Sequence, residues 1–128
     1  PVMGMGGVLI LPPGYFRRIS DICKANDILI VADEVVTAFG RLGEMFASDA
    51  IYEMPPDIIV CAKGLTSGYL PLGATIISEV IMSVLRTPIE EGAIFSHGFT
   101  YAEHPVCCAA ALANIEIIER EDLCGHVR

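Results

Sequence analysis

Two short apolar runs constrain the fold of this chain more than any other feature. Residues 28–31 (Ile-Leu-Ile-Val) and residues 58–61 (Ile-Ile-Val-Cys) are rich in β-branched side chains and show no polar alternation. Such runs are typical of parallel strands that are covered on both faces. The first run leads to Asp33-Glu34 and the second to Lys63. Because ligands of open α/β sheets bind beyond the carboxyl ends of the strands, we expect Asp33 and Lys63 to face one crevice.

The segments around the two runs predict helices and one further strand. Proline, glycine and periodic apolar residues place helices at about 12–26, 44–52, 78–86 and 105–119, and a third strand at 74–77. We expect Tyr15, Phe16, Ile19, Ile22 and Cys23 to form the buried stripe of the first helix. Ser78 is expected to cap the third helix through its side chain. These elements predict the α/β class, with a mostly parallel sheet and flanking helices.

Composition and charge argue against several classes of partner. The formal charge of −8 and the pI of about 4.7 disfavour a nucleic-acid or anionic-membrane surface, because both require clusters of Lys and Arg. No uninterrupted apolar run approaches the roughly 18 residues of a membrane helix. The five cysteines are odd in number and lack C-x-x-C spacing, which favours reduced thiols in a cytoplasmic protein. The three histidines show no metal-site spacing, so no metal is expected.

Four motifs in a fixed order resemble those of the class III, or ω-amino-acid, aminotransferases. The motifs are Val31-Ala32-Asp33-Glu34-Val35, then Phe39-Gly40-Arg41, then residues 57–64 (Asp-Ile-Ile-Val-Cys-Ala-Lys-Gly), and finally Ser96-His97-Gly98-Phe99-Thr100-Tyr101 with His104-Pro105. The resemblance covers nearly the whole chain. The chain departs from the family at Ala38, where glycine is usual. Val36 is more similar to the amine–pyruvate branch of the family than to the ornithine type, which usually carries glutamine there.

This resemblance implies the type I aminotransferase fold and the cofactor pyridoxal 5'-phosphate. Residues 1–128 would be a fragment of the cofactor-binding large domain, with the N-terminal part and the C-terminal small domain absent. Lys63 would be the catalytic base and hold the cofactor as a Schiff base, while Asp33 would keep the ring nitrogen protonated. Val35 would pack on the ring. Thr100 would reach the phosphate of a neighbouring subunit, which implies a homodimer.

The implied reaction is transamination between an amine or ω-amino acid and a keto acid such as pyruvate, so the expected partners are small molecules. An aminomutase of the same family is an alternative. So is a non-catalytic fragment that self-associates through apolar faces, since 53% of the residues are hydrophobic and only 19% are charged. Each site residue also has a plainer interpretation, namely a strand-end lysine for Lys63, a turn cap for Asp33 and a loop threonine for Thr100. A Ser-Lys hydrolase built on Ser67 lacks a recognisable oxyanion-hole turn.

Overall fold

The structure is a computed structural model that describes residues 1–91 and 94–128. Three strands and five α-helices follow one another along these residues. They are α1 (Tyr15–Ala25), β1 (Val31–Asp33), α2 (Ala47–Ala50), β2 (Ile58–Cys61), β3 (Ala74–Ile77), α3 (Glu79–Leu85), α4 (Pro105–Arg120) and α5 (Leu123–Val127). Short 3-10 turns occupy Lys63–Leu65 and Ile89–Glu91. The α/β class is therefore confirmed.

The three strands form one sheet in the order β1-β2-β3. Strands β1 and β2 are parallel, with Asp33 opposite Val60, whereas β2 and β3 are antiparallel, with Cys61 opposite Ala74. In the described part of the chain the sheet is thus mixed, with one parallel and one antiparallel pair, and the prediction of a mostly parallel sheet is not confirmed there. The connection from β2 to β3 holds a 3-10 turn and glycine-rich turns instead of a crossover helix. A parallel return requires such a crossover, so β3 runs back along β2.

A small apolar core lies between α1 and the sheet. It is formed by Ile30, Ala32 and Met54, against which Phe16, Cys23 and Ile59 pack. The expected stripe of α1 is only partly correct, because Tyr15 and Ile22 are exposed. The expectation that the first apolar run is covered on both faces is also wrong within these residues. Ile28, Leu29 and Val31 each expose more than half of their surface.

Four of the five helices lie at the predicted positions, and two features of the helix ends differ from the predictions. Ser78 precedes α3, but its hydroxyl accepts no capping bond and is buried without a partner, so the predicted side-chain cap is wrong. Helix α5 was not predicted. It begins after Asp122, whose carboxylate accepts a hydrogen bond from the Gly125 N–H at 3.1 Å. None of the helices in the described residues combines the length and apolar character needed to cross a membrane.

Candidate active site

Asp33 is the last residue of β1 and lies at the carboxyl end of the parallel pair. The ladder continues for one more bond, from the Glu34 N–H to the Val60 carbonyl at 2.8 Å. Asp33 is exposed, and its Oδ1 accepts a hydrogen bond from the Val35 N–H at 3.0 Å. Val35 is half-buried and lies in a turn. The strand ends before Val35, so this hydrogen bond and not the pleat of β1 holds Val35 beside Asp33.

Lys63 follows β2 at the same edge of the sheet. It opens the Lys63–Leu65 3-10 turn and has a φ of 41°, in the left-handed region that non-glycine residues rarely adopt. Its side chain is exposed within the described chain. The lysine lines an open groove of about 340 Å³ together with residues of the glycine-containing loop, namely Thr66, Gly68, Tyr69, Leu70, Pro71 and Leu72.

The turn that carries Lys63 is closed by hydrogen bonds from its own loop. The Leu65 N–H donates to the Ala62 carbonyl at 2.9 Å, and the Gly68 N–H donates to the Lys63 carbonyl at 3.2 Å. The Thr66 hydroxyl donates to the Leu70 carbonyl at 2.6 Å. Leu65 and Thr66 are both buried, so the backbone beside the exposed lysine is anchored in the protein interior.

Gly64 brings the turn after Lys63 against the turn after Asp33. A Cβ atom at position 64 would lie 3.0 Å from Phe39 Cβ and 3.2 Å from the Ala38 carbonyl oxygen. Only glycine permits this approach without displacement of the backbone. Ala38 is not among the residues with positive φ, whereas Phe39 has a φ of 60°. Alanine is therefore accommodated at position 38, where the family usually has glycine.

Glu34 is fully buried and organises the connection that follows Asp33. Its Oε1 accepts hydrogen bonds from the N–H and the hydroxyl of Ser48, both at 2.6 Å. Its Oε2 accepts from the Thr37 hydroxyl at 2.6 Å and from the Ala47 N–H at 3.1 Å. Burial alone would raise the pKa of this carboxyl, but the four hydrogen bonds outweigh it and hold the pKa below its ordinary value. Glu34 therefore has a structural role in this connection.

The Glu34 carboxylate also serves as the N-terminal cap of α2. The residue at the cap position is Phe46, which has no side-chain oxygen to accept a bond. The free N–H groups of Ala47 and Ser48 donate to Glu34 instead, and a negative charge is favourable at a helix N-terminus. Sequence reasoning missed this contact. The only available signal was the absence of a capping side chain before residue 47.

Thr100 lies apart from these contacts. It is exposed and begins the turn at residues 100–103, just before α4. The structure therefore brings Asp33 and Lys63 to one edge of the sheet, with Val35 beside Asp33, but it does not by itself join Thr100 to them. Within residues 1–91 and 94–128, no group of three or more His, Cys, Asp or Glu side chains is placed to hold a metal ion.

Comparison with known proteins gives matches over essentially the whole chain. A probable aminotransferase of Mycobacterium tuberculosis is 50% identical over 129 aligned positions, which cover 100% of this chain and 27% of that protein. Probable gamma-aminobutyrate transaminase 4 of Oryza sativa subsp. japonica is 46% identical over 127 positions, which cover 99% of this chain and 26% of that protein. The chain thus spans about a quarter of the length of these curated relatives.

Solved structures match with the same coverage. A thermostable (S)-enantioselective omega-transaminase from Thermomicrobium roseum has a TM-score of 0.88 at 44% identity, over 98% of this chain and 27% of its own. The taurine:2-oxoglutarate aminotransferase from Bifidobacterium kashiwanohense, solved in complex with PLP and glutamate, has a TM-score of 0.87 at 34% identity and the same coverage. The family profile described as aminotransferase class-III matches residues 1–128. The chain therefore belongs to the class-III aminotransferases.

Proposed function

We propose that this chain is the central part of the cofactor-binding large domain of a pyridoxal-phosphate-dependent transaminase. The observation that carries the proposal is the placement of Asp33 and Lys63 at the carboxyl ends of the parallel strands β1 and β2. This edge is where ligands of α/β sheets bind. The fraction of the relatives that the chain spans, about a quarter, supports the assignment to one part of a longer domain arrangement.

The side chains at this edge fit pyridoxal phosphate chemically. The cofactor needs an amine to bind its aldehyde and an acid to face its ring nitrogen. Lys63 supplies an exposed amine beside an open groove, and Asp33 supplies an exposed carboxylate with Oδ1 fixed by the Val35 N–H. When bound, the cofactor supplies a reactive aldehyde and an electron-withdrawing ring.

Each residue then has a defined task. The Lys63 Nζ would hold the cofactor through its aldehyde and would act as the general base that moves a proton. The Asp33 carboxylate would face the ring nitrogen and favour its protonated form through its negative charge. Val35 gives the ring an apolar contact. The fixed turn around Lys63 limits the positions that its amine can occupy.

The role proposed for Thr100 requires a second subunit. Thr100 is exposed in a turn and carries a hydroxyl and a backbone N–H, which are the donors that a phosphate requires. We assign both donors to the phosphate bound by the partner of a homodimer. Large exposed apolar side chains near Thr100 in the sequence, namely Phe95, Phe99, Tyr101 and Val106, support an interface at this loop.

The substrate class is an amine or ω-amino acid together with a keto acid such as pyruvate. Relatives named for γ-aminobutyrate and taurine support the distal position of the amino group, since both compounds carry it away from the acid. A cytoplasmic location is supported by the cysteines of the described chain, all five of which are free thiols.

The test is site-selective modification by pyridoxal phosphate. The sequence contains two lysines, and Lys24 on the exposed side of α1 is an internal control for Lys63. The purified chain is mixed with the cofactor, reduced with borohydride and mapped by mass spectrometry. We expect Lys63 to be modified at least about tenfold more than Lys24, a ratio equivalent to about 1.4 kcal/mol.

Two variants make this result specific. Asp33→Asn should reduce the labelling of Lys63 and leave that of Lys24 unchanged, while Lys63→Arg should remove the visible absorbance of the adduct. Equal labelling of both lysines, or labelling of neither, would contradict a preorganised site in this chain. That outcome would favour the non-catalytic fragment. Product analysis of the full-length protein distinguishes transamination, which needs a keto acid, from aminomutation, which does not.

A further inference from the structure

Asn114 makes three hydrogen bonds, and all three go to the turn that carries Lys63. Its Nδ2 donates to the Gly64 carbonyl at 2.8 Å and to the Leu65 carbonyl at 3.1 Å. Its Oδ1 accepts from the Ser67 hydroxyl at 2.5 Å. The amide of one residue in α4 thus binds three of the four residues that directly follow the lysine.

The position of this asparagine is informative because helix propensity disfavours it. Asn114 lies in the interior of α4, among residues that are mostly alanine and isoleucine, and asparagine is a poorer helix former than alanine. Its side chain uses its donor and acceptor groups on another element and not on the helix backbone. The cost in propensity is offset only by the contacts with the turn.

The turn itself requires external support. Lys63 has a φ of 41°, and a non-glycine residue keeps such a conformation only when its surroundings hold it there. The backbone bonds of the turn include one of 2.9 Å, from the Leu65 N–H to the Ala62 carbonyl, and two longer ones, of 3.3 Å from the Ser67 N–H to the Gly64 carbonyl and 3.2 Å from the Gly68 N–H to the Lys63 carbonyl. Asn114 binds the carbonyls of the next two residues and therefore fixes the peptide planes that follow the strained position.

We propose that Asn114 is a positioning residue that holds the Lys63 backbone in its left-handed conformation and thereby restricts the direction in which the Lys63 amine extends. This inference rests on the proposed function, because that function supplies the cofactor to which the Lys63 amine would bind. The hydrogen bonds of the Asn114 side chain go to Gly64, Leu65 and Ser67 and not to the Lys63 amine. Its effect is transmitted through the Gly64 and Leu65 carbonyls.

Three variants separate the contribution of the Asn114 NH₂ group from that of the other contacts of its side chain. Asn114→Ala removes all three bonds, and Asn114→Asp keeps the shape and an acceptor for Ser67 but loses both donations to the carbonyls. Ser67→Ala keeps those donations. Asn26→Ala is the matched control, because Asn26 directly follows α1 and its Nδ2 donates to the Ile22 carbonyl of that helix at 2.8 Å.

The first readout is hydrogen exchange of the cofactor-free chain, observed at the Ser67 and Gly68 amides. We expect both Asn114 variants to accelerate exchange there by at least about fivefold, the ratio expected for the loss of hydrogen bonds of ordinary strength. Ser67→Ala should have a smaller effect, and Asn26→Ala should have none at these amides.

The second readout is the ratio of Lys63 to Lys24 labelling by pyridoxal phosphate, measured under conditions where all variants are folded. We expect this ratio to fall by at least about fivefold in both Asn114 variants and to remain unchanged in Asn26→Ala. An unchanged ratio would overturn the positioning role even if exchange rises, because a purely structural contact would give that combination.

The same experiment distinguishes failure of the inference from failure of the proposed function. If the wild-type chain shows no selective labelling of Lys63, the proposed function fails for this chain. Exchange at Ser67 and Gly68 then decides alone whether Asn114 holds the turn. Unchanged exchange in both Asn114 variants overturns the inference whatever the labelling result.

Discussion

Replacement of Glu34 by glutamine should destabilise the protein more than its conservative chemistry suggests. The carboxylate accepts four hydrogen bonds, two of them from the N–H groups of Ala47 and Ser48. Glutamine has one oxygen and one NH₂ group, so whichever way it is oriented, one of these N–H groups faces another donor. The hydroxyls of Thr37 and Ser48 can rotate to accept, but a backbone N–H cannot.

The magnitude follows from that single unpaired group and from the lost charge. A buried donor without a partner costs about 1–3 kcal/mol, and hydrogen bonds to a neutral amide are weaker than those to a carboxylate. We therefore expect Glu34→Gln to lower the free energy of unfolding at pH 7 by roughly 2–4 kcal/mol. Glu119→Gln, at an exposed position of α4, is the matched control and should change it by less than about 0.5 kcal/mol.

Urea denaturation followed by circular dichroism measures the free energy of unfolding of both variants. The same measurement at a series of pH values provides the decisive comparison. The pKa of Glu34 in the folded protein lies below its ordinary value of 4.5. The stabilisation it provides is therefore complete above that value and is lost as the pH falls through the folded pKa. The difference between wild type and Glu34→Gln should be constant near neutrality and shrink below pH 4.5. A neutral-pH difference below about 0.5 kcal/mol, or one that grows on acidification, would refute the reasoning.

Two further substitutions test local features of the fold by urea denaturation. Gly64→Ala should cost about 1–3 kcal/mol, because the new methyl group meets Phe39 Cβ at 3.0 Å and the Ala38 carbonyl at 3.2 Å. Gly68→Ala is its control, with a φ of 78° but open space around the Cβ position, and should cost only the backbone strain of about 1–2 kcal/mol. Ser78→Ala should cost less than about 0.5 kcal/mol, since its buried hydroxyl makes no bond. A loss of about 1 kcal/mol or more would show that Ser78 does cap α3.

Local sequence patterns predicted the elements of this fold well. The strand predicted at 74–77 has the same bounds as β3. The helix predicted at 105–119 corresponds to α4, which extends one residue further, to Arg120. These features depend on neighbours in the sequence, such as Pro105 at a helix start. The direction of β3 was not predicted, because it depends on what the preceding connection forms. The exposed face of Ile28, Leu29 and Val31 was also missed, because an apolar run does not specify what packs on it.

The candidate site likewise contains some features that the sequence predicted and others that it did not. Asp33 and Lys63 could be selected from the sequence because Asp33 ends one apolar strand and Lys63 lies two residues beyond another, and parallel pairing brings two such ends to one edge. The contacts of Asn114 with Gly64 could not be predicted in this way. They join residues 50 positions apart, and their geometry depends on how α4 docks against a turn.

At this edge of the sheet, exposed side chains of the candidate site are followed within a few residues by buried ones. Asp33 is exposed, while the adjacent Glu34 is fully buried and bonded to α2. Lys63 is exposed, while Leu65 and Thr66 are buried two and three residues later. An exposed side chain loses little entropy on folding and is free to meet a ligand, but its position is then defined only by its backbone. The buried neighbours supply that definition, so the positions of Asp33 and Lys63 depend on residues of the protein interior.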